Sequence, residues 1–232
     1  MIYGVDYMTV NYCGLSEAYK KIVTECYPLA EAHIKIRCSE YLDEYFRRRR
    51  IMPELADEHF FSDYFLKWLP YKVCLEDTDV IDSFYSSAEE YIRLTDMIKG
   101  TSAHKRFLFI DPKVKYETAR LLMLKRNIVE YNNSFIISKM PWIIDFDKYK
   151  AKKKVSVEDD EYDNGRFKVE SFFSGNSVVL KKINGGYFIR LFFNKDIMDL
   201  IDEKDIFDIS IIKNKNNGKW VLDEINGCYT MG

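Results

Sequence analysis

The chain has 232 residues, of which 47% are hydrophobic and 31% are charged, so it can bury a sizeable core beneath a solvated surface. Its 35 basic and 37 acidic residues leave a formal net charge of −2, which excludes a strong overall field toward nucleic acid or anionic membranes. No run approaches the ~18 consecutive apolar residues of a membrane span, and the N-terminus lacks the features of a secretory signal. We therefore expect a globular cytoplasmic protein without a membrane partner.

Metal, redox and cofactor chemistry have no motif in this sequence. The five cysteines are widely spread without a CxxC pair, which indicates free thiols. His33, His59 and His104 lie far apart without HxH or HExxH spacing, and no glycine-rich loop joins a strand to a helix. The sequence therefore predicts no metal site, no cofactor and no catalytic residue set.

The first half of the chain carries apolar residues at helical spacing between prolines, glycines and capping residues. The clearest amphipathic pattern is Leu29–Phe46, which ends in the basic run Arg47–Arg50. The predicted helices run from Ser16 to Pro28, from Pro28 to Arg50, from Pro53 or Asp57 to Pro70, from Asp77 or Thr78 to Gly100, and from Asp111 to Asn127. Together they predict a helical bundle.

The pattern changes between Lys154 and Arg166, after which apolar residues alternate at strand spacing. The predicted strands are Phe167–Phe173, Val178–Ile183, Tyr187–Phe193, Ile206–Ile212 and Trp220–Ile225, with one helical turn at Asp196–Ile201. Turns rich in glycine and asparagine separate them, as in hairpins. Five short antiparallel strands are expected to close into a small SH3-like or OB-like barrel, because closure hides their edges.

These patterns predict an α+β protein with an N-terminal all-α helical bundle over residues 1–127 and a small C-terminal five-stranded antiparallel β-barrel over residues 165–232. A connector over residues 128–164 lies between them. Its apolar runs Phe135–Ser138 and Trp142–Phe146 can form strands or an extended arm. The basic Lys148–Lys154 and the acidic Glu158–Asp163 are typical of a solvated linker.

The segment Tyr41–Gly100 consists of a helix end, a loop, the aromatic helix FFSDYFLKWL and a capped helix ending in YIRLTDMIKG. In that order it resembles the helical core-binding (SAM-like) domain of tyrosine recombinases, over about a quarter of the chain. Those enzymes cut DNA with a tyrosine in a separate larger domain, which has no match here. The resemblance implies a helical module that contacts DNA or protein. The stretch FLKWLPYKV also looks like part of uncharacterised prokaryotic two-part proteins, which implies no activity.

Short basic runs are the candidate nucleic-acid contacts. If they shared a face they could contact several phosphates. The residues are Arg47, Arg48, Arg49, Arg50, Lys105, Arg106, Lys152, Lys153 and Lys154. A structural role stays open, because Arg47–Arg50 also complement a helix C-terminus and the linker lysines can pair with the acids that follow.

Aromatic residues supply two further candidates. The helical residues Phe60, Tyr64 and Trp68 share a side that could form a protein or subunit contact. The strand residues that could stack on single-stranded bases are Tyr187, Phe188, Phe192, Phe193 and Trp220. Strand alternation directs about half of them into the core.

A non-enzymatic binding or adaptor protein with DNA or RNA as its partner is the leading hypothesis. The alternatives are a protein-interaction or homo-oligomeric structural module, and an enzyme whose site lies between the two parts. Residues such as His104, Asp145 and Glu170 would build that last site, although no motif marks them.

Overall fold

The computed structural model describes residues 7–73, 81–138, 161–213 and 218–230, and the chain divides into two compact units, Met1–Ala119 and Arg120–Gly232. The helices are α1 (Tyr7–Cys26), α2 (Leu29–Arg49), α3 (Glu58–Asp63), α4 (Leu69–Lys72), α5 (Ile81–Lys99), α6 (Ala103–Leu108), α7 (Pro112–Ser138) and α8 (Lys195–Met198). The strands are β1 (Glu161–Phe173), β2 (Ser177–Lys182), β3 (Phe188–Phe192), β4 (Asp205–Lys213) and β5 (Trp220–Thr230). The fold is therefore α+β, as predicted.

The helices agree with the predicted pattern except at some ends. Helix α1 already includes Tyr7, earlier than the predicted start at Ser16, and the short helix α6 was not predicted. Helix α7 continues to Ser138, so Phe135–Ser138 is helical and is neither a strand nor an extended arm. The predicted caps Asp77 and Thr78 and the run Trp142–Phe146 lie outside the described residues.

The helical segment after Asp57 accommodates a proline by changing its hydrogen bonding. Tyr64–Trp68 is a π-helical segment between α3 and α4, and the Leu69 N–H donates to the carbonyl oxygen of Tyr64, five residues earlier. Pro70 has no N–H and its ring crowds the preceding turn of an α-helix. The wider turn lets the chain remain helical as far as Lys72. The predicted helix end at Pro70 is therefore wrong.

Asp57→Ala is expected to lower the free energy of unfolding by about 0.5–2 kcal/mol. The carboxylate oxygen Oδ1 of Asp57 accepts a hydrogen bond from the Phe60 N–H at 2.8 Å, which satisfies one of the free donors at the start of α3. Urea denaturation measures the loss. Asp57→Asn retains an acceptor and should restore most of the stability; equal losses in both variants would contradict a capping role.

The C-terminal unit is an open sheet with strand order β3-β2-β1-β4-β5, all neighbours antiparallel. The sheet is not closed, so the predicted barrel was wrong. Its inner face packs on α7 through Leu121, Leu124 and Ile128, which belong to the same core as the inward side chains of the strands. The helix covers the apolar face, so closure is not needed to bury it.

The predicted domain boundaries at residues 127 and 164 fall inside secondary structure. Residue 127 lies within α7, whose residues from Arg120 onward belong to the unit that contains the sheet. Residue 164 lies within β1, which begins at Glu161, so part of the predicted acidic linker is a strand. The hairpin after Phe173 is confirmed, since Gly175 and Asn176 both have positive φ.

Candidate functional site

The arginine run at the end of α2 is exposed, but its members are engaged differently. The Arg47 Nε donates to the carbonyl oxygen of Asp43 at 3.3 Å, and a guanidinium nitrogen of Arg49 lies 3.7 Å from an oxygen of Asp63. Arg50 ends the helix in the left-handed conformation, with φ of 53°. Successive helical residues point about 100° apart. The run therefore fans around the helix end instead of lining a single phosphate-binding face.

The second basic run contains one exposed residue and one that is committed to the fold. Lys105 is exposed on α6. The Arg106 guanidinium donates to the carbonyl oxygen of Ala56 at 2.8 Å and to that of Glu54. Arg106 thus ties α6 to the 3-10 turn Pro53–Leu55 and its flank. The predicted contacts Lys152, Lys153 and Lys154 lie outside the described residues.

The aromatic residues expected to form an interaction face on the helices are buried instead. Phe60, Tyr64 and Trp68 are each less than a tenth exposed. Phe60 stacks on Phe46 with ring centroids 4.7 Å apart, and Tyr64 stacks on Trp68 at 5.7 Å. These rings form the core of the helical unit, because a face that is aromatic throughout gains most by packing against other rings.

The residues suggested for an enzyme site lie in different parts of the chain. The His104 Nε2 lies 3.2 Å from Glu89 Oε1 within the helical unit, whereas Glu170 is exposed on β1 and Asp145 lies outside the described residues. Across the described part of the chain, no group of three or more His, Cys, Asp or Glu residues could hold a metal ion.

A different constellation lies on the outer face of the sheet, the face opposite α7. Strand register places three cross-strand rows there, because directly paired residues share a face. The rows are Phe173–Ser177–Phe192, Ser171–Val179–Arg190 and Lys168–Lys181–Phe188. Phe173, Phe188 and Phe192 are 51%, 52% and 45% exposed. We call these three rows the cationic–aromatic face.

Arg190 is the fixed centre of the cationic–aromatic face. Its Nε and Nη2 donate to the Oγ of the fully buried Ser177 at 2.9 and 2.7 Å. Its guanidinium lies 5.2 Å from the ring centroid of Phe173 and 5.2 Å from that of Phe192. The charge is thereby held between two exposed rings in a restricted geometry, which reduces the entropy lost when it binds an anion.

Lysines surround this centre. Lys181 Nζ lies 5.4 Å from the ring centroid of Phe188. Lys219 directly precedes β5, and its Nζ lies 5.6 Å from the ring centroid of Phe192. Lys168 is exposed beside Lys181. Among the described residues, no carboxylate forms an ion pair with Lys168, Lys181 or Arg190. The three rows contain three cations and no carboxylate, although the whole chain is nearly neutral.

This combination of groups suits a polyanion that carries flat rings. Arginine and lysine bind phosphate oxygens. Exposed phenylalanine rings accept stacked bases, which contributes about 1–3 kcal/mol per base. On the cationic–aromatic face each of the three exposed rings lies 5.2 to 5.6 Å from a cation, so one strand can contact a cation through a phosphate and a ring through a base.

The sequence contains a pattern that indicates this face, but only some of its residues were among the predicted site residues. In Phe188-Ile-Arg-Leu-Phe192 the rings and the arginine occupy alternate positions, so they share a face opposite the two aliphatic residues. Phe188 and Phe192 were predicted stacking residues, whereas Tyr187, Phe193 and Trp220 pack against the core. The roles of Lys168, Phe173 and Lys219 depend on strand register, which the sequence does not give.

The chain matches no protein-family model, and no curated protein and no solved structure matches it significantly. The resemblance of Tyr41–Gly100 to recombinase core-binding domains is untested by these comparisons and stays a prediction. None of the described helices is long and apolar enough to cross a bilayer.

Proposed function

We propose that this protein is a non-enzymatic binding protein that holds single-stranded nucleic acid on its cationic–aromatic face. One observation carries the proposal: the Arg190 guanidinium, fixed by Ser177, lies between the exposed rings of Phe173 and Phe192. A phosphate can bind the guanidinium while the adjacent bases stack on the rings. The surrounding lysines supply further phosphate contacts.

Single strands are favoured over duplex for a geometric reason. The rings of Phe173, Phe188 and Phe192 can stack only on the flat faces of bases, and a duplex hides those faces between neighbouring base pairs. The near-neutral net charge supports the same conclusion, because it provides no long-range attraction for the dense charge of a duplex.

The combined substitution Lys168→Gln, Lys181→Gln and Arg190→Gln is expected to weaken binding of a fluorescent single-stranded oligonucleotide at least tenfold in low salt. Each lost phosphate contact removes about 0.7 from the slope of log K against log salt, so three lost contacts lower that slope by about 2. Fluorescence anisotropy across a salt series measures both quantities.

A charge-matched control is available within the same unit. Arg126, Lys195 and Lys204 lie on α7, on α8 and just before β4, away from the three rows. Changing all three to Gln should leave affinity within about twofold, since rim charges outside a site contribute little. If both triple variants lose affinity equally, the loss reflects the change in net charge and not the position of the residues. Binding that survives the first triple and disappears with Arg47–Arg50→Ala would move the interface to the helical unit.

A protein partner is the second candidate, and the edge position of β3 favours it. An edge strand can pair with an extended peptide, while Phe188 and Phe192 would lie beside that peptide. Two results together would favour this candidate over nucleic acid. The wild-type protein would bind no oligonucleotide at low salt, and its mass in light scattering would increase with protein concentration.

A further inference from the structure

The two edges of the sheet approach each other through side chains. Strands β3 and β5 are the outermost strands, and neither pairs with the other in the described sheet. The Trp220 ring nevertheless lies on the ring of Tyr187, with centroids 6.4 Å apart and planes 24° apart. The preceding residue, Lys219, reaches the ring of Phe192 on the cationic–aromatic face. We call this side-chain junction the seam.

The seam lacks the backbone pairing that joins the other neighbouring strands. Paired strands are held by a ladder of backbone hydrogen bonds, whereas in the described sheet no such ladder joins β3 to β5, and side-chain contacts bridge them at the seam. Tyr187 and Trp220 are both partly buried against the core, and part of each residue is exposed to solvent.

Tyr187 carries a polar atom that its surroundings do not use. Its hydroxyl is shielded from solvent and has no hydrogen-bond partner among the residues that the structure describes, although buried polar groups are nearly always paired. The ring meets Phe167 edge-on at 6.2 Å and lies 5.5 Å from Lys182 Nζ. Lys182 is itself committed to Asp163, to which its Nζ donates at 2.6 Å. The Tyr187 hydroxyl is thus a donor and acceptor without an internal role.

We propose that the seam is a base-reading site, in which one base of the bound strand inserts between Tyr187 and Trp220 and hydrogen-bonds the Tyr187 hydroxyl. The inference rests on the proposed function, because the strand would reach the seam from the cationic–aromatic face over Phe192 and Lys219. Stacking on Phe173, Phe188 and Phe192 tolerates every base. A directional hydrogen bond from a buried hydroxyl distinguishes bases by their edges.

Tyr187→Phe separates this role from a merely structural one. With homopolymers of thymidine, adenosine and cytidine, the wild-type protein is expected to prefer one base by about five- to tenfold. The variant should bind all three within about twofold, by weakening on the preferred base only. Its thermal unfolding midpoint should be unchanged or higher, because the variant no longer buries an unpaired hydroxyl. A structural hydroxyl would change stability without changing the preference.

Tryptophan fluorescence provides a second, independent readout. A base stacked on Trp220 should quench its emission, and Trp220→Phe should abolish that quenching while the other two tryptophans remain. If anisotropy shows binding but neither Tyr187→Phe nor Trp220→Phe changes base preference or quenching, the seam inference fails and the proposed function stands. If the wild-type protein binds no oligonucleotide in low salt, the proposed function fails and the seam inference fails with it.

Discussion

Arg120→Ala is expected to lower the free energy of unfolding of the C-terminal unit by about 3–5 kcal/mol. The Arg120 guanidinium donates to both carboxylate oxygens of Asp205, at 2.9 and 2.6 Å, and also to the carbonyl oxygen of Leu200. The Asp205 side chain is fully buried and that of Arg120 is 19% exposed. Removing the arginine leaves a buried carboxylate without its counter-charge, which is far more costly than losing an exposed pair.

Equilibrium urea denaturation measures this loss, and two further variants define its origin. Arg120→Lys should recover only part of the stability, because an ammonium group cannot form the two parallel hydrogen bonds of a guanidinium. Arg126→Ala is the matched control: it removes an arginine from the same helix whose pair with Glu130 is exposed, and it should cost less than about 1 kcal/mol. Similar losses at Arg120 and Arg126 would show that the pair does not hold α7 to the sheet.

Tyr91→Phe is expected to lower the free energy of unfolding of the helical unit by about 1–3 kcal/mol near neutral pH. The Tyr91 hydroxyl donates to Oδ1 of Asp43, which is buried on α2 and also accepts from Ser16. Without this donor the buried carboxylate loses one of the interactions that compensate for its removal from water. Thermal unfolding monitored by circular dichroism gives the measurement, and a variant as stable as the wild type would contradict it.

Asp43→Asn should act in the opposite direction, with a defined dependence on pH. Burial raises the pKa of the Asp43 carboxyl, although hydrogen bonds from Tyr91 and Ser16 work against the rise. A carboxyl group whose pKa is raised in the folded state contributes stability that depends on pH. The contribution is complete below the pKa of the unfolded state, about 3.9, and is lost as pH rises through the pKa of the folded state. The stability of Asp43→Asn relative to the wild type should therefore increase from about pH 4 upward.

Asp96 has the opposite dependence on pH. Hydrogen bonds from Thr101 and from the backbone N–H groups of His104 and Ala103 lower its pKa and outweigh the largest single influence, burial, which raises it. Its contribution to stability is lost as pH falls, the reverse of Asp43. Because both proteins retain Asp96, its effect cancels in the difference between wild type and Asp43→Asn. If the difference in free energy of unfolding between the two proteins does not change with pH, the pKa of Asp43 is not raised in the folded state.

Local signals in the sequence were sufficient for most of the secondary structure. Asp57, Gly100 and the pair Asp111–Pro112 mark helix ends where short-range hydrogen bonding decides the outcome. The predicted strands and the turn at Asp196–Ile201 all correspond to observed elements, because strand alternation and positive-φ turns are also local properties. The α+β class followed from these elements alone.

The candidate site was predictable only in part. Alternation within Phe188–Phe192 places Phe188, Arg190 and Phe192 on one face, so three of its members could be found from the sequence. The rows that add Phe173, Ser177 and the two lysines require knowledge of which strands pair and in which register. Predicted runs of adjacent charges, such as Arg47–Arg50, were less informative because neighbours on a helix point in different directions.

The sequence by itself determined where helices and strands form, since capping, turn geometry and apolar period act over a few residues. Only the tertiary structure decided that the sheet stays open, because the covering of its inner face by α7 is a contact between segments far apart in the chain. Packing between distant segments of the helical unit likewise buried Phe60, Tyr64 and Trp68, whereas Phe173, Phe188 and Phe192 on the outer face of the sheet are exposed. Composition cannot distinguish these two sets of rings, because exposure depends on what each ring packs against.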